Sequence, residues 1–167
     1  DEIIVGIREL LRSFKLHPYD EGTECGFLRH VLVRVGKNTG EILVTLVGGN
    51  SMFPKKHDFV KALVKRFPDI TTVTFSVNRT PEMLLLGENN EVLYGEGYIT
   101  DILCGKRFRI SPHSFYQINH AQTEKLYDYA IKAAKLTKKD VLLDAYSGIG
   151  TIGIIASDYV KQVQGIE

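Results

Sequence analysis

Several features that mark other protein classes are scarce in this sequence. It has no tryptophan and only two cysteines in 167 residues, Cys25 and Cys104, which are too few for a disulfide framework or a cysteine metal site. No apolar run approaches the ~20 residues of a membrane-spanning helix. A formal net charge of +1 gives no global indication of a nucleic-acid partner, so any such partner must be argued from local residues. We therefore expect a cytoplasmic protein with reduced thiols, no bound metal and no membrane association.

The patterns that are present predict an α+β domain with a mainly antiparallel sheet over residues 1–118. A hydrophobic content of 44% and a charged content of 25% are ordinary for a globular protein. Apolar residues at helical spacing predict two helices, and β-branched runs separated by turn residues predict the strands. The predicted helices are Ile4–Phe14 and Lys55–Phe67, and the predicted strands are Phe27–Val35, Glu41–Val47, Thr71–Asn78, an irregular strand over Leu93–Leu103, and Phe108–Ile110 continuing the same sheet.

A strand, a glycine-rich turn and a helix follow near the end of the chain. The apolar strand Val141–Leu143 leads into Asp144, and Gly148 and Gly150 let the backbone turn tightly and approach a ligand. The next strand ends at Glu167, a carboxylate of the kind that binds a ribose diol in nucleotide-binding folds. We expect residues 119–167 to form the first βαβ unit of a Rossmann-like domain, starting with a helix that Asn119 caps.

The glycine turn leaves two classes of nucleotide open. The spacing of Gly148, Gly150 and Gly153 satisfies the dinucleotide pattern G-x-G-x-x-G, which would indicate a fragment of a nicotinamide-dependent oxidoreductase. A strand that ends in D-x-x-x-G-x-G, beginning here at Asp144, resembles instead the first motif of methyltransferases that use S-adenosyl-L-methionine (SAM). The Asp favours the methyltransferase over the oxidoreductase.

A second motif makes the resemblance specific. The segment F-R-I-S-P-H-S-F-Y-Q-I-N, followed by a helix and then L-L-D-A-Y-S-G-I-G-T, resembles the RNA 5-methyluridine (uracil-C5) methyltransferases, and the bacterial 23S rRNA enzymes most. The F-x-Q-x-N part, Phe115 to Asn119, is what other methyltransferases lack. The resemblance implies that the chain is a fragment: a central domain plus the incomplete start of a Rossmann-like SAM-dependent domain. The family's RNA-binding barrel and its iron–sulfur cluster are not expected in this chain.

The resemblance also implies which residues contact the cofactor and the uracil. The cofactor-binding residues would be Gln117, Asp144, Tyr146, Gly148, Gly150, Thr151 and Glu167. Phe115 would line the pocket of the target base. Separately, a basic run interleaved with aromatics at residues 106–116 predicts RNA contacts by Arg107 and Arg109, and Arg29 is a candidate phosphate contact. Phe108, within that run, is better explained as a core residue than as a base-stacking one.

The chemistry that the family implies needs groups that we do not expect in this chain. In these enzymes a Cys thiolate adds to uracil C6, the methyl group is transferred to C5, and a general base removes the C5 proton. We expect the nucleophile and the base to lie after residue 167, so that no catalytic residue is present and the chain by itself is inactive. Cys104 is the one tempting thiol, because Lys106 and Arg107 follow it closely.

Two rival functions and several partners remain open at this point. The chain could be the oxidoreductase fragment described above, or a non-catalytic RNA-binding module. For the methyltransferase, 23S rRNA is the expected substrate, with tRNA as the alternative. Two parallel strands and one helix would leave apolar surface uncovered, so self-association through the incomplete domain is also expected.

Overall fold

A computed structural model describes residues 1–79 and 85–167, and their contacts group them into two compact units. Unit 1 comprises Asp1–Gly36, Gly40–Ile99 and Ser111–His113, and unit 2 comprises Lys37–Thr39, Thr100–Ile110 and Ser114–Glu167. The boundary at residue 118 that the sequence predicts therefore differs from this grouping, which puts residues 100–110 together with residues 114–167. The division into a central and a catalytic domain stays a prediction.

Unit 1 contains a four-stranded sheet and two helices. In chain order the elements are α1 (Glu2–Ser13), β1 (Leu28–Val35), β2 (Ile42–Gly48), α2 (Lys56–Arg66), β3 (Ile70–Val77) and β4 (Asn90–Tyr94). The strand order is β1-β2-β3-β4. The outer two ladders are antiparallel, as predicted, but β2 and β3 run parallel because α2 connects them as a crossover. The sheet is therefore mixed.

The core of unit 1 lies between this sheet and its helices. Strands β2 and β3 are buried along almost their whole length, which is typical of central strands. The helices contribute Ile7 and Leu63, which are 1% and 0% exposed. Four phenylalanine rings pack together at centroid distances of 4.3–5.8 Å, and they belong to Phe27, Phe53, Phe59 and Phe75. Such aromatic burial supplies a large share of the apolar area.

The remaining elements form two small sheets and two helices. They are β5 (Ile99–Leu103), β6 (Lys106–Ile110), α3 (His120–Ala134), β7 (Val141–Asp144), α4 (Thr151–Ala156) and β8 (Gln162–Gly165). Strands β5 and β6 pair only with each other within the described residues, so the prediction that they continue the large sheet is wrong. The single irregular strand predicted over 93–103 is also wrong. Gly95 and Gly97 adopt φ values of 72° and 80°, and this turn separates β4 from β5.

The predicted βαβ arrangement is present at the end of the chain. Strands β7 and β8 pair in parallel, with Val141 opposite Gln162 and Asp144 opposite Gly165, and α4 lies between them in sequence. The cap of α3 is confirmed, since the Asn119 Oδ1 atom accepts a hydrogen bond from the Gln122 backbone N–H at 3.2 Å. Among the described helices, none is long and apolar enough to cross a membrane.

Candidate cofactor site

The bend between β7 and α4 needs glycine at two positions. Gly148 and Gly150 have φ values of 55° and 79°, a region that L-residues with a side chain enter at a cost. The Gly150 N–H donates to the Ser147 carbonyl at 2.7 Å, which closes the turn, and Ile154 N–H donates to the Gly150 carbonyl at 2.8 Å. The bend therefore connects the end of β7 directly to the first turn of α4.

A cleft of about 420 Å³ lies at this bend in unit 2. Three of the predicted cofactor residues line it, namely Asp144, Gly148 and Gly150. The other lining residues are Ser147, Ile149, Gly153, Ile154, Ser157, Val163 and Gly165. The cleft thus lies at the carboxyl ends of two parallel strands, where ligands bind in open α/β sheets.

The Asp144 carboxylate stands out in this cleft. Its Oδ2 atom is buried and has no hydrogen-bond partner among the described residues. Gly153 faces it, and a Cβ at that position would lie 3.0 Å from Oδ2. An unpaired buried carboxylate oxygen costs stability unless a donor from water or from a ligand satisfies it. The residues at this bend therefore fit a small polar ligand with a donor group.

The structure brings Glu167 to the same bend. One Glu167 carboxylate oxygen, Oε2, accepts a hydrogen bond from the Gly148 N–H at 2.7 Å. The chain just before it is held by a backbone bond from the Ser147 N–H to the Ile166 carbonyl, at 3.0 Å. The predicted ribose-binding carboxylate and the glycine bend are thus neighbours, as a nucleotide site requires.

The other predicted cofactor residues do not line the cleft. Gln117 is half-buried in the loop before α3. Tyr146 is 95% exposed. The Thr151 hydroxyl hydrogen-bonds the Tyr127 hydroxyl at 3.0 Å, which joins the start of α4 to α3. A cofactor role for these three residues stays a prediction, and for Thr151 the structure adds a structural role.

The predicted RNA-contacting residues of unit 2 are exposed. Arg107 and Arg109 lie on the solvent side of β6, where they alternate with Phe108 and Ile110, which are 3% and 2% exposed. Phe108 is thus a core residue, as the sequence favours. Phe115 is 75% exposed, which leaves its ring free of core packing.

Arg29 in unit 1 has a structural role that the sequence does not reveal. Its guanidinium donates to both Glu21 carboxylate oxygens, at 2.9 and 2.8 Å, and to the Asn78 carbonyl at 2.8 Å. It also lies 5.1 Å from the centroid of the Tyr19 ring. The Arg29 side chain is only 6% exposed. The predicted phosphate contact finds no support here, because the guanidinium already binds the Glu21 carboxylate and the Asn78 carbonyl.

A buried polar network in unit 2 was not predicted from the sequence. The Asp101 side chain is fully buried, and its Oδ2 lies 2.5 Å from His120 Nε2 and 3.5 Å from the Tyr116 hydroxyl. The backbone N–H groups of Lys37 and Asn38 also donate to this carboxylate, at 3.0 and 2.9 Å. Burial opposes its ionisation, yet these donors and His120 together hold the pKa of Asp101 below its ordinary value.

The same network raises the pKa of the Tyr116 hydroxyl, first through burial and then through the Asp101 charge. Tyr116 therefore stays protonated and can donate. One sequence signal could have found the network. Asp101 lies on the buried side of β5, the same side as Ile99 and Leu103, where an apolar residue is expected.

The environment of Cys104 does not activate its thiol. Burial raises the pKa of Cys104, and Glu124 and Asp128 raise it further. The Cys104 backbone N–H donates to a Glu124 carboxylate oxygen at 3.2 Å, so an acidic side chain lies close by. The lysine and arginine that follow in sequence do not offset this, and Cys104 is a poor candidate for a nucleophile.

Comparisons with known proteins identify relatives along the whole chain. No protein-family model matches it. The chain is 40% identical over 167 residues to an uncharacterized RNA methyltransferase of Oceanobacillus iheyensis, and 42% identical over 168 residues to one of Lactococcus lactis. Each alignment covers 100% of this chain and 36% of the relative, so the chain spans about a third of the length of these curated relatives.

One solved structure shares both fold and sequence with the chain. It is Pyrococcus abyssi tRNA (uracil-54, C5)-methyltransferase in complex with S-adenosyl-L-homocysteine. The TM-score is 0.75 at 27% identity, over 95% of this chain and 38% of that one. The fold described above is therefore similar to part of a protein that was solved with a product of SAM.

Proposed function

We propose that this chain, which belongs to the family of RNA methyltransferases, forms the cofactor-binding bend and part of the RNA-binding surface of a SAM-dependent enzyme that makes 5-methyluridine. The observation that carries the proposal is the Asp144 carboxylate oxygen, buried without a partner among the described residues, beside the Gly148–Gly150 bend. The Pyrococcus abyssi neighbour supports it, because that protein by its name acts at C5 of a uracil and was solved with S-adenosyl-L-homocysteine.

The residues at the bend would hold the cofactor from two sides. Asp144 offers an acceptor to a donor group on the ligand, and the backbone of Gly148 and Gly150 can approach it closely because no Cβ intervenes. Glu167 offers two acceptor oxygens, which suit the hydroxyl pair of a ribose. When bound, SAM would supply an electrophilic methyl group on a sulfonium. Gln117 would add an amide contact, as the F-x-Q-x-N motif suggests.

We assign no residue of the chain to the covalent steps of uracil methylation. Those steps need a thiolate that adds to C6 and a base that removes the C5 proton. Cys25 is exposed in a turn-rich segment of unit 1, and the pKa of Cys104 is raised by burial. We therefore expect the 167 residues to bind the cofactor and RNA without forming 5-methyluridine.

RNA is the proposed partner, and 23S rRNA is the proposed substrate. The exposed side of β6 offers Arg107 and Arg109 to phosphates, and Phe115 offers an exposed ring to an unstacked base. The preference for rRNA rests on the motif resemblance, whereas the solved neighbour acts on tRNA. A methylation assay of a longer enzyme carrying this segment, with tRNA and 23S rRNA transcripts side by side, distinguishes the two substrates.

Titration calorimetry tests the cofactor site. We expect the chain to bind S-adenosyl-L-homocysteine measurably and NAD not at all, whereas an oxidoreductase fragment would reverse this order. Asp144→Asn should weaken S-adenosyl-L-homocysteine binding while the variant remains about as stable as the wild type, since the half-buried Asp144 carboxylate has an Oδ2 atom without a partner among the described residues. Asp158→Asn, an exposed change in the same unit, is the control. Unchanged affinity in the Asp144 variant would refute the assignment.

Self-association remains an expectation about this chain. Val141 and Leu143, on one side of β7, are 55% and 56% exposed. Replacing both with Thr should shift sedimentation equilibrium towards the monomer if that side of the strand pairs with another copy. A wild-type chain that is monomeric at all concentrations would remove the expectation.

A further inference from the structure

Unit 1 contains a second cleft, distant in sequence from the glycine bend. Its volume is about 590 Å³, and it lies where α1 ends and the chain turns towards β1. Three of its seven lining residues are cationic, namely Arg8, Arg12 and Lys15, and a fourth is His17. The other three are apolar, namely Leu11, Leu16 and Pro18. In the part of the chain that the structure describes, the lining thus includes cations and apolar groups but no carboxylate.

The end of α1 sets the position of these cations. Arg8 and Arg12 are four residues apart on α1, which places them on one side of the helix about 6 Å apart along its axis. Lys15 follows the end of the helix and lines the same cleft. The Leu16 N–H donates to the Leu11 carbonyl at 2.8 Å, and the Lys15 N–H donates to the Arg12 carbonyl at 3.1 Å. These two bonds form a Schellman ending, and the buried Leu11 and Leu16 side chains accompany it.

Lys15 occupies the position of this ending where glycine is preferred. Its φ is 56°, in the left-handed region that disfavours a residue with a side chain. A lysine here costs backbone strain and contributes a cation to the cleft. The strain by itself shows no function. Because glycine would relieve it, Lys15→Gly can remove the charge without destabilising the end of the helix.

Two acidic residues near the cleft in sequence, Glu9 and Glu21, pair with other cations. Glu9 pairs with Arg66 at 2.5 Å, and Glu21 pairs with Arg29 at 2.8 Å. Within residues 1–79 and 85–167, none of the ion pairs includes Arg8, Arg12 or Lys15. Among the described residues, these three cations are therefore not held in a close ion pair.

We propose that this cleft binds the phosphodiester backbone of RNA. Three cations along one cleft match an extended chain of phosphates better than they match one small anion. Of the apolar lining residues, Pro18 is exposed and can contact a sugar, whereas Leu11 and Leu16 are buried. The proposal rests on the proposed function for the choice of RNA over another polyanion. It assigns to unit 1 a phosphate contact that is separate from Arg107 and Arg109 in unit 2.

The decisive measurement is binding of the intact chain to a short fluorescent RNA hairpin with a uridine-rich loop, as a function of salt. Arg8→Gln together with Arg12→Gln keeps two long polar side chains and removes two charges. We expect the slope of log affinity against log salt to fall by about 1.4, at ~0.7 for each phosphate no longer bound, and the affinity to fall on the order of tenfold. The matched control is Lys61→Gln with Lys65→Gln on α2, which removes two exposed charges from the same unit.

Lys15→Gly distinguishes a binding role from a structural one. We expect this variant to unfold at the same or a higher denaturant concentration than wild type, because glycine relieves the left-handed strain, and to bind the RNA several-fold more weakly. Equal RNA affinity in a stably folded Lys15→Gly chain would overturn the proposal. An equal loss of affinity in the α2 control pair would also overturn it, since general charge would then suffice.

Two further measurements separate this proposal from the proposed function and from another partner. Poly-glutamate competes with the RNA if the cleft serves acidic proteins, and competition as strong as that of unlabelled RNA would overturn the assignment to RNA. Binding of S-adenosyl-L-homocysteine should be unchanged in the Arg8/Arg12 variant. Loss of RNA binding with intact cofactor binding in the Arg8/Arg12 variant therefore supports the cleft, whereas wild-type RNA affinity in that variant refutes the cleft and leaves the proposed cofactor site standing.

Discussion

His120 Nε2 lies 2.5 Å from Asp101 Oδ2, and the Tyr116 hydroxyl lies 3.2 Å from the same histidine nitrogen. Asp101 thereby holds residues on both sides of Gln117, since Tyr116 precedes it and His120 begins α3. The distinctive motif Phe115–Asn119 is thus held against the buried side of β5 by Tyr116 and by His120, which follows the motif. A carboxylate in the core positions the motif, while Gln117 itself remains half-buried.

Replacing Asp101 with Asn should destabilise the protein strongly. Both carboxylate oxygens accept from backbone N–H groups, and an amide can offer only one oxygen and places an NH₂ group against a donor. We expect a loss of about 3 kcal/mol in the free energy of unfolding, as for other broken buried pairs. Urea denaturation followed by circular dichroism measures it.

The matched control for this change is Asp158→Asn. Asp158 pairs with Lys106 at 2.7 Å, but its side chain is 60% exposed. We expect a loss of less than about 1 kcal/mol there. Equal effects of the two substitutions would mean that the Asp101 network contributes no more than a surface pair.

Acid should remove the contribution of Asp101. The folded-state pKa of this group lies below its ordinary value, so the stability it supplies is present at neutral pH. That stability is lost as the pH falls below about 4 and through the folded-state pKa. The difference in unfolding free energy between wild type and Asp101→Asn should therefore shrink in acid. A difference that stays constant from pH 7 to acid would contradict the lowered pKa.

The exposed arginines of β6 should contribute to RNA affinity. Changing Arg107 and Arg109 to Ala should weaken binding of the uridine hairpin and reduce the salt slope by about 1.4, because the chain would then bind two fewer phosphates. The neighbouring Phe108 and Ile110 hold the strand in place, so the fold should persist. Fluorescence anisotropy at several salt concentrations measures the slope, and an unchanged slope would exclude both residues from the RNA surface.

Gly87 should not tolerate a side chain. A Cβ at this position would overlap the Val77 backbone carbonyl, and the Gly87 N–H donates to the Ser76 hydroxyl at 3.0 Å. We expect Gly87→Ala to cost about 1–3 kcal/mol of unfolding free energy. Gly22→Ala is the control, because the nearest atom would lie 3.4 Å away. Similar melting temperatures for the two variants would show that the backbone near residue 87 can adjust.

The local elements of the fold were predictable because their signals are local. Helices α1, α2 and α3 follow from apolar spacing, and the capping by Asn119 follows from a side chain and a backbone N–H three residues apart. The parallel pairing of β2 and β3 was missed although strand, helix and strand stood in the sequence in that order. A connection that contains a helix favours parallel strands, whereas the short hairpin loop makes β1 and β2 antiparallel.

The sequence predicts those site residues whose backbone conformation requires one residue type. It does not predict which side chains pair when they lie far apart along the chain. Gly148 and Gly150 could be found because only glycine tolerates their φ values easily. The partners of Arg29 and Asp101 could not be predicted, since they lie 8 to 64 residues away along the chain. For Arg29 the same charge suits a phosphate and a carboxylate equally, and only the fold decides between them.

The Gly148 N–H donates to the Glu167 carboxylate, so this backbone donor at the bend already has a partner within the protein. Each carboxylate oxygen can accept more than one hydrogen bond, so a hydroxyl pair could bind Glu167 while the Gly148 N–H continues to donate to it at 2.7 Å. This bond would hold the carboxylate in place before a ligand arrives. Less side-chain entropy would then be lost on binding than for a carboxylate that moves freely.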